Sequence, residues 1–200
     1  MSLKNLLSAP IIYSLFRGLV GNDKTRQLYV DQHIRAFEGA RILDIGCGPG
    51  DMLNYLPEVR YTGFDISPDY IKSARRRFGN RAQFYCEAVG TGTTVPADTY
   101  DIVIAHGVLH HLNDQEALSL FQIAHSALVK AGRLVTFDGC YTSEQSILAR
   151  FFLSQDRGKY VRTQYAYEQL AKKVFSDVHT TVRSDLIKLP YTHIVMECSK

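Results

Sequence analysis

The stretch Arg41-Ile42-Leu43-Asp44-Ile45-Gly46-Cys47-Gly48-Pro49-Gly50 constrains the fold more than any other part of the chain. A short apolar run bounded by turn residues is the pattern of a strand covered on both faces, and here it passes directly into glycines at alternate positions. Glycine tolerates positive φ and has no Cβ to hold a ligand off the backbone, so a strand leading through this loop into a helix forms a main-chain cradle. A single glycine loop is weak evidence. Asp65 strengthens it, because it ends the next apolar run, residues 61–64, where a carboxylate in an open α/β sheet accepts hydrogen bonds from both hydroxyls of a ribose. The pair points to a nucleoside cofactor. The third glycine arrives one residue too early for the dinucleotide pattern G-x-G-x-x-G, so the phosphate fingerprint of nicotinamide enzymes is broken.

The flanking pattern alternates. Apolar runs at residues 42–45, 61–64, 83–86, 102–105 and 133–137 predict buried strands, and helical segments separate them. Ser67-Pro68 caps one helix with Ile71, Ala74 and Phe78 on its inner face, and Asn113 caps another with Ala117, Phe121, Ala124 and Leu128 ahead of Gly132. Two helices precede the first strand. One begins at Pro10 and buries Ile12, Leu15, Phe16 and Leu19; the next starts after Asp23 and carries Val30, Ile34 and Phe37 before Gly39. After Asp138 the chain turns aromatic and charged, with helices expected over residues 145–153 and 165–174. The runs 178–187 and 191–198 are close enough to pair as an antiparallel hairpin.

This is an α/β pattern in one domain of 200 residues: cover helices over 1–38, a core over 40–140, a helical insertion over 141–175 and a terminal hairpin over 176–200. With 46% hydrophobic residues the chain has enough apolar material for a sizeable core. A net charge of +3 without a dense cationic block makes nucleic acid an unfavoured partner. Cys47, Cys86, Cys140 and Cys198 are scattered singly, as in proteins of a reducing cytoplasm. No run is long enough for a membrane span, and residues 6–20 are a poor fit to a secretory signal, so neither stable membrane insertion nor export is expected.

In the order Leu43-Asp44-Ile45-Gly46-Cys47-Gly48-Pro49-Gly50, Gly63-Phe64-Asp65-Ile66-Ser67, Cys86-Glu87-Ala88, and Tyr100-Asp101-Ile102-Val103 with Leu109-His110-His111-Leu112, the chain resembles the class I S-adenosylmethionine-dependent methyltransferases over about residues 40 to 140. The resemblance implies a Rossmann-like, doubly wound, seven-stranded sheet of order 3-2-1-4-5-7-6 with strand 7 antiparallel and a small helical cap. It implies S-adenosylmethionine as cofactor and S-adenosylhomocysteine as product. Gly46, Gly48 and Gly50 would line the methionine end, with Cys47 filling space between them, and Asp44 would help to place the amino group. Asp65 would hold the ribose, Ile66 would pack on adenine, Glu87 and Ala88 would meet its edge, and Ala105 with His106 would lie beside the sulfonium. Tyr13 and Arg17, four apart on the first helix, would close over the cofactor.

His110 and His106 are the candidates for a base or positioning group, since imidazole exchanges protons near neutral pH. No carboxylate or cysteine follows them or His111 at a ligand spacing, so a metal is not expected. Arg157, Lys159, Tyr160 and Arg162 lie in the insertion, where they would meet an acidic acceptor or form surface ion pairs. The fourth strand lacks the Asn-Pro-Pro-Tyr type of motif and no Pro-Cys pair is present. These absences and the small cap favour O- or N-methylation of a small molecule, sugar or lipid precursor by a monomer or homodimer. A protein or RNA methyltransferase and a non-catalytic S-adenosylmethionine-binding module stay open as alternatives, to be separated by acceptor screening and by the salt dependence of acceptor binding.

Overall fold

The computed structural model describes residues 23–90, 92, 94–155, 158–187 and 189–200. Helix α1 (Asp23–Tyr29) runs into a π-helical turn (Val30–Ile34), followed by β1 (Arg41–Ile45), β2 (Arg60–Phe64), α2 (Pro68–Phe78), β3 (Ala82–Tyr85) and β4 (Tyr100–His106). Then come α3 (Asp114–Ala127), β5 (Leu128–Tyr141), α4 (Ile147–Ser154), β6 (Arg162–Thr163), α5 (Gln164–Ala171), β7 (Asp177–Arg183) and β8 (His193–Ser199). The sheet order is β3-β2-β1-β4-β5-β8-β7, and the two-residue β6 pairs off this path with the end of β5. β8 is antiparallel to both neighbours, with Val178 opposite Cys198 and Phe137 opposite Val195. Once the short β6 is set aside, this is the expected order with an antiparallel seventh strand.

The central strands are buried on both faces, and each face has its own core. Leu43, Val103, Leu134 and Met196 pack with Phe121 of α3 and Tyr167 of α5, whereas Ile42, Ile104 and Val195 pack with Ile34, Ile71 and Phe78 under α1 and α2. Helix ends follow their local chemistry. Ser67 Oγ accepts the Tyr70 N–H at the start of α2. Asn113 accepts the Gln115 and Glu116 N–H groups while Glu116 accepts the Asn113 N–H, a reciprocal cap. The π-turn is tied to β8 through His33 Nδ1 and Glu197 Oε1 at 2.9 Å, with Arg35 on the other oxygen.

Three local expectations change. Phe37 is 54% exposed, because Arg35 adopts φ 47° and ends the helix two residues earlier. Leu128 begins β5 instead of ending α3: the Ala127 carbonyl accepts the Thr99 N–H and the Leu128 carbonyl accepts from Lys200 Nζ, so partners distant in sequence replace helical bonds. Gly132 therefore lies inside a strand. The helix expected after the glycine loop is one 3₁₀ turn (Asp51–Asn54), closed by the Leu53 N–H to Gly50 and the Tyr55 N–H to Met52. Pro57 follows too closely for a longer helix, since it lacks an N–H and biases Leu56 toward an extended conformation. The helix expected to start at Pro10, with Tyr13 and Arg17 on it, lies outside the described residues.

Candidate cofactor and acceptor site

The glycine loop closes the C-terminal end of β1 against β2, where the Phe64 carbonyl accepts the N–H groups of Gly46 (2.7 Å) and Cys47 (2.9 Å). Gly46 needs to be glycine on two counts. Its φ is +75°, and a Cβ there would lie 2.5 Å from Val108 Cγ2. Gly48 also has positive φ, yet a Cβ on it would meet nothing within 4 Å. Among the described residues, open space thus lies over the middle of the loop. Cys47 is buried, with its Sγ 2.8 Å from where a Gly63 side chain would begin, and burial raises its thiol well above the ordinary value. It fills space in the loop and is no nucleophile. Arg77 of α2 braces the far side by donating to the Pro49 carbonyl (3.1 Å) and to Asp51 (2.5 Å).

Asp65 spans the mouth of this cradle. Its Oδ2 accepts the Gly48 N–H at 2.9 Å and its Oδ1 accepts the Ser67 N–H at 2.8 Å, and each carboxylate oxygen keeps a lone pair for another donor. That is the arrangement a ribose diol requires. Next to it Ile66 leaves 75% of its surface uncovered, an apolar plate of the kind that a planar base covers. Glu87 and Ala88 follow Cys86 after β3, whose last carbonyl, Tyr85, accepts the Asp65 N–H. Asp44 lies behind the loop. Tyr61 donates to its Oδ2, its Oδ1 is buried without a partner, and burial lifts its pKa to about 7. An unsatisfied buried acceptor fits a nearby ammonium, met directly or through one water. These residues fit the expected cofactor. Ala105 does not contribute: it is fully buried in the core on the α3 and α5 face, so it offers a ligand no surface.

The two candidate histidines have opposite surroundings. His106 is the last residue of β4 and stacks on Phe137 at 4.4 Å between centroids, with Tyr29 edge-on at 5.5 Å. Burial lowers its pKa to about 4, with Arg26 and His110 adding to the effect, so it is neutral at neutral pH. His110 sits in the 3₁₀ turn Leu109–His111, where Asp138 Oδ1 accepts its backbone N–H (3.1 Å) and lies 2.8 Å from its ring Nδ1. Packing of the Gly158 backbone against the ring leaves no room for a side chain at that position, since a Cβ would be 2.2 Å from His110 Cδ2.

The insertion departs from expectation at Arg162. All five guanidinium donors are used within the protein: Nε and Nη2 reach Asp114, Nη1 reaches the carbonyls of Leu109 and Tyr160, and Nη2 reaches that of Leu112. Only 9% exposed, it clamps the turn that carries His110 and has no donor left for an acceptor. Lys159 and Tyr160 are exposed, and the Tyr160 N–H reaches the His110 carbonyl. Arg157 lies outside the described residues. Ile147, Leu148 and Phe151 of α4 expose apolar surface in the same insertion.

Sequence reasoning missed Tyr29, Tyr61 and Asp138. Asp138 had a readable signal, an acid directly after the apolar run 133–137, as Asp65 directly follows the run 61–64. The two tyrosines had none, because strand register and helix docking bring them to the site.

Residues 42–132 match the family model described as a methyltransferase domain. A ubiquinone biosynthesis O-methyltransferase of Bordetella avium is 28% identical over 68% of this chain and 57% of its own length. The first curated relatives are matched over only 29% to 57% of their lengths. A TehB-like SAM-dependent methyltransferase from Corynebacterium glutamicum superposes with a TM-score of 0.64, 20% identity and 94% coverage of both chains. Phosphoethanolamine N-methyltransferase 2 of Haemonchus contortus, solved in complex with S-adenosyl-L-methionine, gives a TM-score of 0.69 at 20% identity over 92% of this chain and 46% of that one.

Proposed function

Since the chain belongs to the class I S-adenosylmethionine-dependent methyltransferases, we propose that it methylates an oxygen or nitrogen atom of a small-molecule, sugar or lipid-precursor acceptor. The observation that carries this reading is the Asp65 carboxylate, held by the Gly48 and Ser67 N–H groups beside exposed Ile66 and the open space over Gly48. Bound S-adenosylmethionine supplies a methyl carbon already activated by its sulfonium, so the protein needs no nucleophile of its own. Asp65 holds the ribose hydroxyls and Ile66 the adenine face. The loop from Gly46 to Gly50, with Asp44 behind it, receives the methionine end.

Alignment and exclusion of water are the protein's remaining tasks. His106, neutral and packed among Tyr29 and Phe137, ends β4, and the His110 turn follows it. A nitrogen acceptor entering as the free amine needs no more than this placement. An oxygen acceptor needs a base, for which His110 is the better placed of the two. Exposed Ile147, Leu148 and Phe151 with Lys159 support an acceptor that combines an apolar body with an acidic group.

Calorimetric titration with S-adenosylmethionine, S-adenosylhomocysteine and NADH tests the cofactor. Saturable micromolar binding of the first two alone is the expected result, and justifies an acceptor screen that follows S-adenosylhomocysteine formation. Binding of NADH alone, or of none of the three by folded protein, overturns the proposal.

A further inference from the structure

We propose that Asp138 is a positioning residue that holds His110 with its ring proton on Nδ1 and so leaves Nε2 as the proton-accepting atom at the turn after β4. The argument rests on a single oxygen. Asp138 Oδ1 accepts the His110 backbone N–H at 3.1 Å, and a peptide N–H has no alternative but to donate. The same oxygen lies 2.8 Å from Nδ1 of the same residue. An oxygen that carries no hydrogen of its own pairs with the ring only if Nδ1 carries one, whereas a proton on Oδ1 would reverse the bond and is distinguished by the nitrogen-15 spectrum. This holds for the ionised carboxylate, and equally for one protonated on Oδ2, which is buried without a partner. Asp138 is 1% exposed, so water does not compete for the bond.

The rest of the ring is placed by packing. Gly158 lies against the Cδ2 side, and a Cβ on Gly107 would be 3.7 Å from Cε1. Arg162 fixes the turn from outside by holding the carbonyls of Leu109 and Leu112. With tautomer and orientation both set, the proton of an acceptor hydroxyl passes to Nε2, and the resulting imidazolium keeps its Nδ1 bond to Asp138. This last step rests on the methyltransferase reading above and deepens it toward a hydroxyl-bearing acceptor; the tautomer itself does not depend on it.

The test is nitrogen-15 NMR of the histidine side chains in the full-length protein without cofactor, about two pH units above the ordinary imidazole value, with His110→Gln identifying the resonance. Wild type is expected to show the pattern of a protonated Nδ1 and a bare Nε2. Asp138→Asn, which keeps an oxygen for both donors, should retain that pattern, and Asp138→Ala should lose it in favour of the Nε2–H or averaged form. A wild-type protein protonated at Nε2 overturns the proposal, as does an Asp138→Ala variant with an unchanged pattern. If Asp138→Ala does not fold, the wild-type spectrum alone decides. S-adenosylmethionine titration of the same samples separates the two readings: a protonated Nδ1 without cofactor binding sinks the methyltransferase reading alone, and cofactor binding with a protonated Nε2 sinks the positioning role alone.

Discussion

Tyr61 donates its phenolic hydrogen to the buried carboxylate of Asp44 from the neighbouring strand, and no other side chain among the described residues bonds to that acid. The pair lies directly behind the glycine loop. Tyr61→Phe removes the only donor among the described residues to a buried carboxylate whose other oxygen has no partner among them, so unfolding stability should fall by about 1–3 kcal/mol. Urea denaturation measures this, and a midpoint equal to wild type refutes it.

The same acid should make stability depend on pH. Burial, opposed by Tyr61 and reinforced by Asp65, lifts the Asp44 value from 3.8 to about 7. A value higher in the folded state means that the folded protein binds the proton more tightly, so Asp44 costs stability as pH rises through that window. His106 works the other way. Its value falls from 6.5 to about 4, chiefly through burial, so its contribution is lost as pH falls across that range. The two oppose each other where the windows overlap. In Asp44→Asn, thermal stability should therefore decline more steeply on acidification than in wild type; parallel melting curves would remove Asp44 from the balance.

Replacing Asp65 should act on binding. Asp65→Ala loses the ribose acceptor and releases the Gly48 and Ser67 N–H groups. Charge-assisted hydrogen bonds contribute about 1.5–3 kcal/mol, so S-adenosylmethionine affinity should drop tenfold or more in calorimetry. Unaltered affinity would reassign the ribose site.

Two glycines of the loop should respond differently. Gly46→Ala adds a Cβ 2.5 Å from Val108 as well as left-handed strain, and should cost stability well beyond the 1–2 kcal/mol or so of strain alone. Gly48→Ala carries similar strain but meets open space, so its larger effect should be on cofactor affinity. Denaturation and calorimetry on both variants check the contrast. Equal stability losses would mean that Val108 yields.

Arg162→Met should lower the melting temperature and shift the His110 resonances, while S-adenosylmethionine affinity changes by no more than a few-fold. Four of the five bonds it loses hold the segment from Leu109 to Asp114 after β4, and the fifth holds the Tyr160 carbonyl. A stable variant with an unmoved His110 would return Arg162 to the candidate acceptor contacts.

The β-α alternation, the sheet order with its antiparallel strand, the caps at Ser67 and Asn113, and the loop geometry that joins Gly46, Gly48 and Asp65 were legible in the sequence. Each depends on neighbours within a few residues or on an order of motifs, and both survive in one dimension. The acceptor side was legible only in part. His110 is visible as a residue, but its partner Asp138 comes from another strand, and Arg162 looks like a surface cation until three carbonyls and Asp114 converge on it. Local propensity determined the elements and the loop. Strand register and the burial of polar groups, which force every donor and acceptor to find a partner across the sheet, decided which of these side chains serve chemistry and which serve the fold.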